Sequence, residues 1–117
     1  MKPGIVLFAH GSRDPAWRRP FEAIAACVRE RLPGTWVEIA YLEHGPTLRE
    51  VLSRSAPAAS VRVVPLFLGA GGHVREDLPR LAEEASKARP GMEVVLDPPI
   101  GEQPALIEAI AAVICGR

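Results

Sequence analysis

Cysteine is almost missing from this chain. Cys27 and Cys115 are the only two, far apart and in no C-x-x-C pair, so neither a disulfide framework nor a thiolate metal site is indicated. Both are expected to be structural thiols. Charge of one sign is missing as well. The 14 basic residues are balanced by 14 acidic ones, leaving no net field that would collect nucleic acid or another polyanion. No apolar stretch approaches the ~20 residues of a membrane-spanning helix, and Met1-Lys2-Pro3 leads into the first strand without a signal-peptide pattern. The expectation is a cytoplasmic, soluble protein with no membrane partner. At 117 residues the chain suits one domain over 1–117, with no room for a separate cofactor module.

What the chain does contain is a regular alternation of two periods. Strand-like runs at 4–9, 35–42, 60–68 and 92–97 alternate with helix-like segments near 17–32, 47–55, 76–89 and 103–115, giving four βα units and a mostly parallel sheet. The first helix carries Trp17, Phe21, Ile24, Ala25, Val28 and Leu32 on one face, which should pack on the sheet. Pro20, Pro79 and Pro104 are expected near helix starts, while Pro33-Gly34 and Pro90-Gly91 close helices. Right-handed crossovers favour a doubly wound α/β domain of strand order 2-1-3-4. In that order strands one and three are neighbours, and their helices lie on opposite faces.

Two histidines occupy matching places in this scheme. His10 follows Ile5-Val6-Leu7-Phe8-Ala9, and His73 follows Val61–Leu68 through a glycine-rich bend. Both should emerge at the carboxyl edge of the sheet, where open α/β proteins bind ligands. Neighbouring strands lie about 4.8 Å apart, so two imidazoles could reach one ion at ~2.1 Å each. His73 must fold back from its strand, and Gly69, Gly71 and Gly72 make the bend sterically accessible. Glu43 ends the second strand, beside strand one, where a carboxylate could ligate, accept a proton or fix a histidine tautomer. His44 should point away if strand alternation continues. Each residue has a plain alternative: a loop histidine, a solvated acid, or Ser12 and Asp14 as helix caps. The parallel placement of the two histidines favours a shared site.

Other motifs fail on inspection. Val74 stands where a dinucleotide fingerprint needs glycine, and no Gly-Lys-Ser/Thr is present. His10, Ser12 and Asp14 are too crowded for a hydrolytic triad. Arg13 and Arg75 follow their histidines closely, and their guanidinium forks, with two helix N-termini, suit an anionic ligand.

Taken together, His10-Gly11-Ser12-Arg13-Asp14-Pro15, Leu42-Glu43 followed by Pro46, and Pro65-Leu66-Phe67-Leu68-Gly69-Ala70-Gly71-Gly72-His73-Val74-Arg75-Glu76-Asp77-Leu78-Pro79 resemble the short form of the CbiX/SirB class of sirohydrochlorin chelatases. The resemblance covers almost the whole chain. It implies insertion of Co²⁺ or Fe²⁺ into sirohydrochlorin, a tetrapyrrole, on the cobalamin or siroheme route. It puts metal handling on His10 and His73 and a less defined role on Glu43, with Ser12, Arg13, Gly71, Gly72 and Arg75 as substrate contacts. It also implies a homodimer, because larger relatives contain two such halves facing across a cleft. No organic cofactor or protein-bound redox centre is expected. Two other readings use the same residues: a non-catalytic metal-binding or metal-delivery dimer, and a histidine phosphatase, although Ala9 stands where that class carries an arginine.

Overall fold

A computed structural model describes residues 2–54, 58–69 and 71–116, with the side chains at 2, 58 and 72–75 outside that description. Strands β1 (Lys2–Ala9), β2 (Trp36–Tyr41), β3 (Ala58–Pro65) and β4 (Glu93–Leu96) form one sheet of order β2-β1-β3-β4. All three pairings are parallel. Helices α1 (Pro15–Arg31), α2 (Leu48–Ser53), α3 (Gly72–Ser86) and α4 (Pro104–Cys115) alternate with the strands, and a 3₁₀ turn spans Ile100–Glu102. The order and the parallel sense agree with the expectation from the sequence.

The alternation of side chains along β1 explains the two layers. Val6 and Phe8 point to one face, where they meet Ala40, Leu52, Val61, Val63, Leu78 and Ala85 beneath α2 and α3. Ile5 and Leu7 point to the other, with Val37, Val64 and Ala25 of α1. Where a central parallel strand is buried on both faces it must be apolar, as β1 is from Ile5 to Ala9. Phe8 is almost wholly buried and meets Phe67 edge-on, with ring centroids 6.5 Å apart. Among the described residues no helix is long and apolar enough to cross a membrane.

Several local expectations need correction. Strand β3 ends at Pro65 and α3 starts at Gly72, so His73 lies in the first turn of a helix instead of in a preceding loop. Pro20 and Pro79 stand inside α1 and α3, and Pro104 alone opens its helix. Each internal proline forgoes one helical hydrogen bond. Cys27 and Cys115 are both exposed rather than buried structural thiols.

Helix α1 covers only part of its face. Ala25 is buried, but Trp17 remains 53% exposed and Leu32 44%. Between α1 and the open side of β3 runs an apolar groove of about 800 Å³, lined by Ile5, Leu7, Phe21, Val64 and Leu66 among others. The fourth helix does not fill it. Helix α4 has little beyond its preceding 3₁₀ turn as a neighbour among the described residues, and Val113 and Ile114 are 82% and 78% exposed.

Phe8→Ala should lower the unfolding free energy by about 3–5 kcal/mol, the cost of emptying a packed aromatic site. Urea denaturation followed by circular dichroism measures it.

Candidate functional site

The ends of β1 and β2 are joined beyond the sheet by backbone hydrogen bonds. The Leu42 amide donates to the Ala9 carbonyl at 2.8 Å, and the Glu43 amide to the His10 carbonyl at 2.9 Å. His10 and Glu43 are therefore held side by side, with both side chains exposed at the carboxyl edge. Gly11 makes this approach sterically feasible. Its φ is +95°, and a Cβ there would collide with the Glu43 carbonyl, so glycine is required on two counts.

The ring of His10 has Nδ1 3.4 Å from the Gly11 carbonyl. With its proton on Nδ1 it donates a long hydrogen bond there, leaving the Nε2 lone pair for a proton or a metal ion. Downstream, Ser12 Oγ accepts from the Asp14 amide at 3.1 Å, and Asp14 Oδ1 accepts from Ala16 at 2.9 Å as the N-cap of α1. The capping alternative is thus realised by Asp14. Arg13 is exposed, and no described residue pairs with it.

The second half of the site follows β3. The Leu66 amide donates to the Phe8 carbonyl at 2.8 Å, continuing the β1–β3 pairing past Pro65. Neither Gly69 nor Gly71 has a positive φ, and an added Cβ at either would meet nothing within 4 Å. The bend does not depend on glycine flexibility, contrary to expectation. The glycines leave open space instead. Gly71 is the N-cap of α3 and Gly72 its first residue, followed by His73, Val74 and Arg75 in the first turn. The side chains of His73 and Arg75 lie outside the described residues, so the expected convergence of two imidazoles falls outside them too. What the backbone does bring together is the end of β1 and the end of β3, which are paired neighbours.

Strand β2 stops at Tyr41, so alternation does not set the direction of His44. That residue adopts a left-handed φ of 61° in the bend before Pro46 and is exposed. Sequence reasoning passed over the residue that braces this bend, Arg18. Its Nη2 donates to the His44 and Gly45 carbonyls at 3.0 Å each, and its Nε to the Ser12 carbonyl at 3.4 Å. The guanidinium also lies 4.6 Å from the centroid of the Tyr41 ring. Burial pushes the Tyr41 phenol above its ordinary range, Arg18 opposes that shift, and Glu22 adds to it. On a helical pattern Arg18 reads as one more solvated cation, and no local signal marks it.

The CbiX family model matches residues 4–115. The chain belongs to the CbiX family. A sirohydrochlorin cobaltochelatase from Saccharolobus solfataricus is 37% identical over 81 residues, 67% of this chain and 62% of that protein. One from Methanopyrus kandleri is 36% identical over 80 residues, 66% of this chain and 56% of that protein. A chloroplastic sirohydrochlorin ferrochelatase from Arabidopsis thaliana is 28% identical over 110 residues, 92% of this chain and 49% of that protein. The matched stretch thus spans about half to three-fifths of these relatives. Among solved structures, a cobalamin (vitamin B12) biosynthesis CbiX protein from Marinobacter aquaeolei VT8 superposes with a TM-score of 0.84 at 36% identity, covering 97% of this chain and 94% of that one. The two chains therefore share one fold over nearly their whole length.

Gly11→Ala should cost about 1–3 kcal/mol through its left-handed backbone and the collision with Glu43. Gly69→Ala, which meets nothing, should stay within about 0.5 kcal/mol of the parent. Parallel thermal melts of the two variants measure the contrast.

Proposed function

We propose that this chain is a sirohydrochlorin chelatase that inserts Co²⁺ or Fe²⁺ into the tetrapyrrole, acting in the cytoplasm as a homodimer of single α/β domains. The observation that carries the reading is the parallel pairing of β1 with β3, whose ends lie side by side at Phe8 and Pro65; the His10 loop leaves from one and the segment leading to His73 from the other, which supports a shared site. Membership of the CbiX family supports it.

Insertion requires three things of the protein: partial dehydration of the ion, acceptance of the pyrrole N–H protons, and a grip on an anionic macrocycle. His10, with Nε2 available, supplies a borderline ligand suited to cobalt and iron, and its neutral ring can also take a proton. His73 is assigned the same work. Glu43, tied to His10 through the backbone, is the nearby carboxylate for proton transfer or ring orientation. The metal is cargo and must be released, so an incomplete ligand set suits the task better than a closed cage. Arg13 and Arg75 are assigned to the substrate carboxylates, with Ser12, Gly71 and Gly72 beside them. The open space at Gly71 is compatible with close approach of a flat ligand.

The dimer reading draws support from α4. A parallel sheet of this kind carries helices on both faces, and here α1 leaves the β3 side of its face open as the apolar groove. Helix α4 is apolar almost all round, with Glu108 its one charged residue, and it meets the groove in its first turn through Leu106, while Ile107, Val113 and Ile114 stay exposed. Its exit is fixed: the Asp97 amide donates to Val63 at 2.9 Å, the Gly101 amide to Phe67 at 3.0 Å, and Gly101 presses on the Leu68 carbonyl. Pro98, Pro99 and Pro104 stiffen the same segment. The exposed apolar remainder of α4 is matched by the open groove on a second copy, and a two-fold axis makes the exchange reciprocal.

Two measurements test these statements. In a spectrophotometric assay with sirohydrochlorin and Co²⁺, Fe²⁺ or Ni²⁺, the parent should form metallated product, and His10→Ala and His73→Ala should abolish turnover with the fold retained. Full turnover in both variants refutes the site. Co²⁺ binding without a spectral change in sirohydrochlorin points instead to metal delivery, and turnover of phosphate esters to a phosphatase. Light scattering should give twice the 12.6 kDa chain mass, and Ile110→Asp in α4 should give the monomer. A monomeric parent, or a variant that stays dimeric, refutes the exchange.

A further inference from the structure

The two loops that carry His10 and Glu43 belong to different βα units, and each contains a feature that does not hold itself in place. The β1–α1 loop turns through Gly11 at φ +95°, and the β2–α2 bend holds His44, a non-glycine residue, at φ +61°. Left-handed backbone at such a residue persists only when its surroundings over-determine it. One side chain touches both loops. Arg18, near the start of α1, spends Nη2 on the His44 and Gly45 carbonyls and directs Nε at the Ser12 carbonyl. Its guanidinium plane is steadied by the ring of Tyr41, the last residue of β2. Tyr41 is in turn packed edge-on against Phe21 of α1, 6.5 Å between centroids.

We infer that Arg18 is the positioning residue of this site, tying the loop after His10 to the bend after Glu43 and so fixing the separation of those two side chains. The guanidinium needs no contact with metal or macrocycle for this role. Its chemistry is specific: a permanently charged fork can reach carbonyls on two loops while its central carbon stays over an aromatic ring. A lysine would keep the charge near Tyr41 but offers a single nitrogen, and cannot span both loops. The consequence for turnover rests on the chelatase reading above; the tie between the loops does not.

The test uses the full chain with Arg18→Met and Arg18→Lys, read in three ways. Amide hydrogen exchange at Glu43, whose N–H reports its bond to His10, should accelerate about 10-fold or more in Arg18→Met while Leu7 and Val63 in the sheet keep parent rates. Arg18→Lys should fall between. Tyr41 is the only tyrosine, so phenolate absorbance reports it alone. Its titration should move further upward in Arg18→Met, because the cation that opposes the effect of burial and of Glu22 is gone. In metal insertion, kcat should fall about 10-fold with the KM for sirohydrochlorin within about 2-fold, and Arg18→Lys should restore part of it. Unchanged exchange at Glu43 overturns the tie, as does equal acceleration throughout the sheet. Faster exchange at Glu43 with unchanged kcat overturns the positioning role. A parent that inserts no metal sinks the chelatase reading, while the exchange and titration arms still decide whether Arg18 joins the loops.

Discussion

Everything in this molecule depends on the burial of β1 between β2 and β3. A strand paired on both edges and covered on both faces has no polar side chain to spare, and Ile5 through Ala9 are all buried. That constraint fixes the register on either side, with Phe8 opposite Ala40 and Pro65. It also fixes the place where polarity can resume, which is the first residue past the strand. His10 is that residue. The parallel sense of all three pairings then sends the loops after β1, β2 and β3 to one edge without any segment leaving its own βα unit.

The edge itself is organised by backbone and by one cation. Carbonyls of residues 9 and 10 receive amides of residues 42 and 43, a continuation of sheet pairing into loops that would otherwise drift apart. Gly11 permits the contact by having no Cβ. Arg18 completes it from the helix side. The side chains with chemistry to offer, His10, Arg13 and Glu43, remain exposed and lightly bonded, while the atoms beneath them are committed to holding position. That division leaves the exposed groups free to meet a ligand while the backbone beneath them stays fixed.

Much of this was legible in the sequence. Period and punctuation are local properties, so the eight regular elements and their alternation could be read, and the chirality of crossovers reduced the strand orders to the one observed. His10 and Glu43 could be paired for the same reason, since strand ends in a parallel sheet share an edge. The start of α3 could not be read, because Gly71-Gly72 resembles loop sequence, and only the helix hydrogen bonds of the folded chain include Gly72. Pro20 and Pro79 misled in the same sense: a proline marks a first turn by preference, yet packing of Ala25 or Leu78 and Ala82 offsets the one hydrogen bond it forgoes.

By itself the sequence determined the βα alternation, the buried central strand and the polar residues that follow each strand, because these are consequences of side-chain period and backbone permissiveness within a few residues. Tertiary structure alone decided two matters. One is that α4 meets the apolar groove at Leu106 yet leaves Val113 and Ile114 exposed, with the segment 97–103 fastened to Val63 and Phe67. The other is the role of Arg18, whose acceptors lie as far as 27 residues away in the chain. Both depend on the direction in which a folded segment points, a quantity that no local pattern encodes.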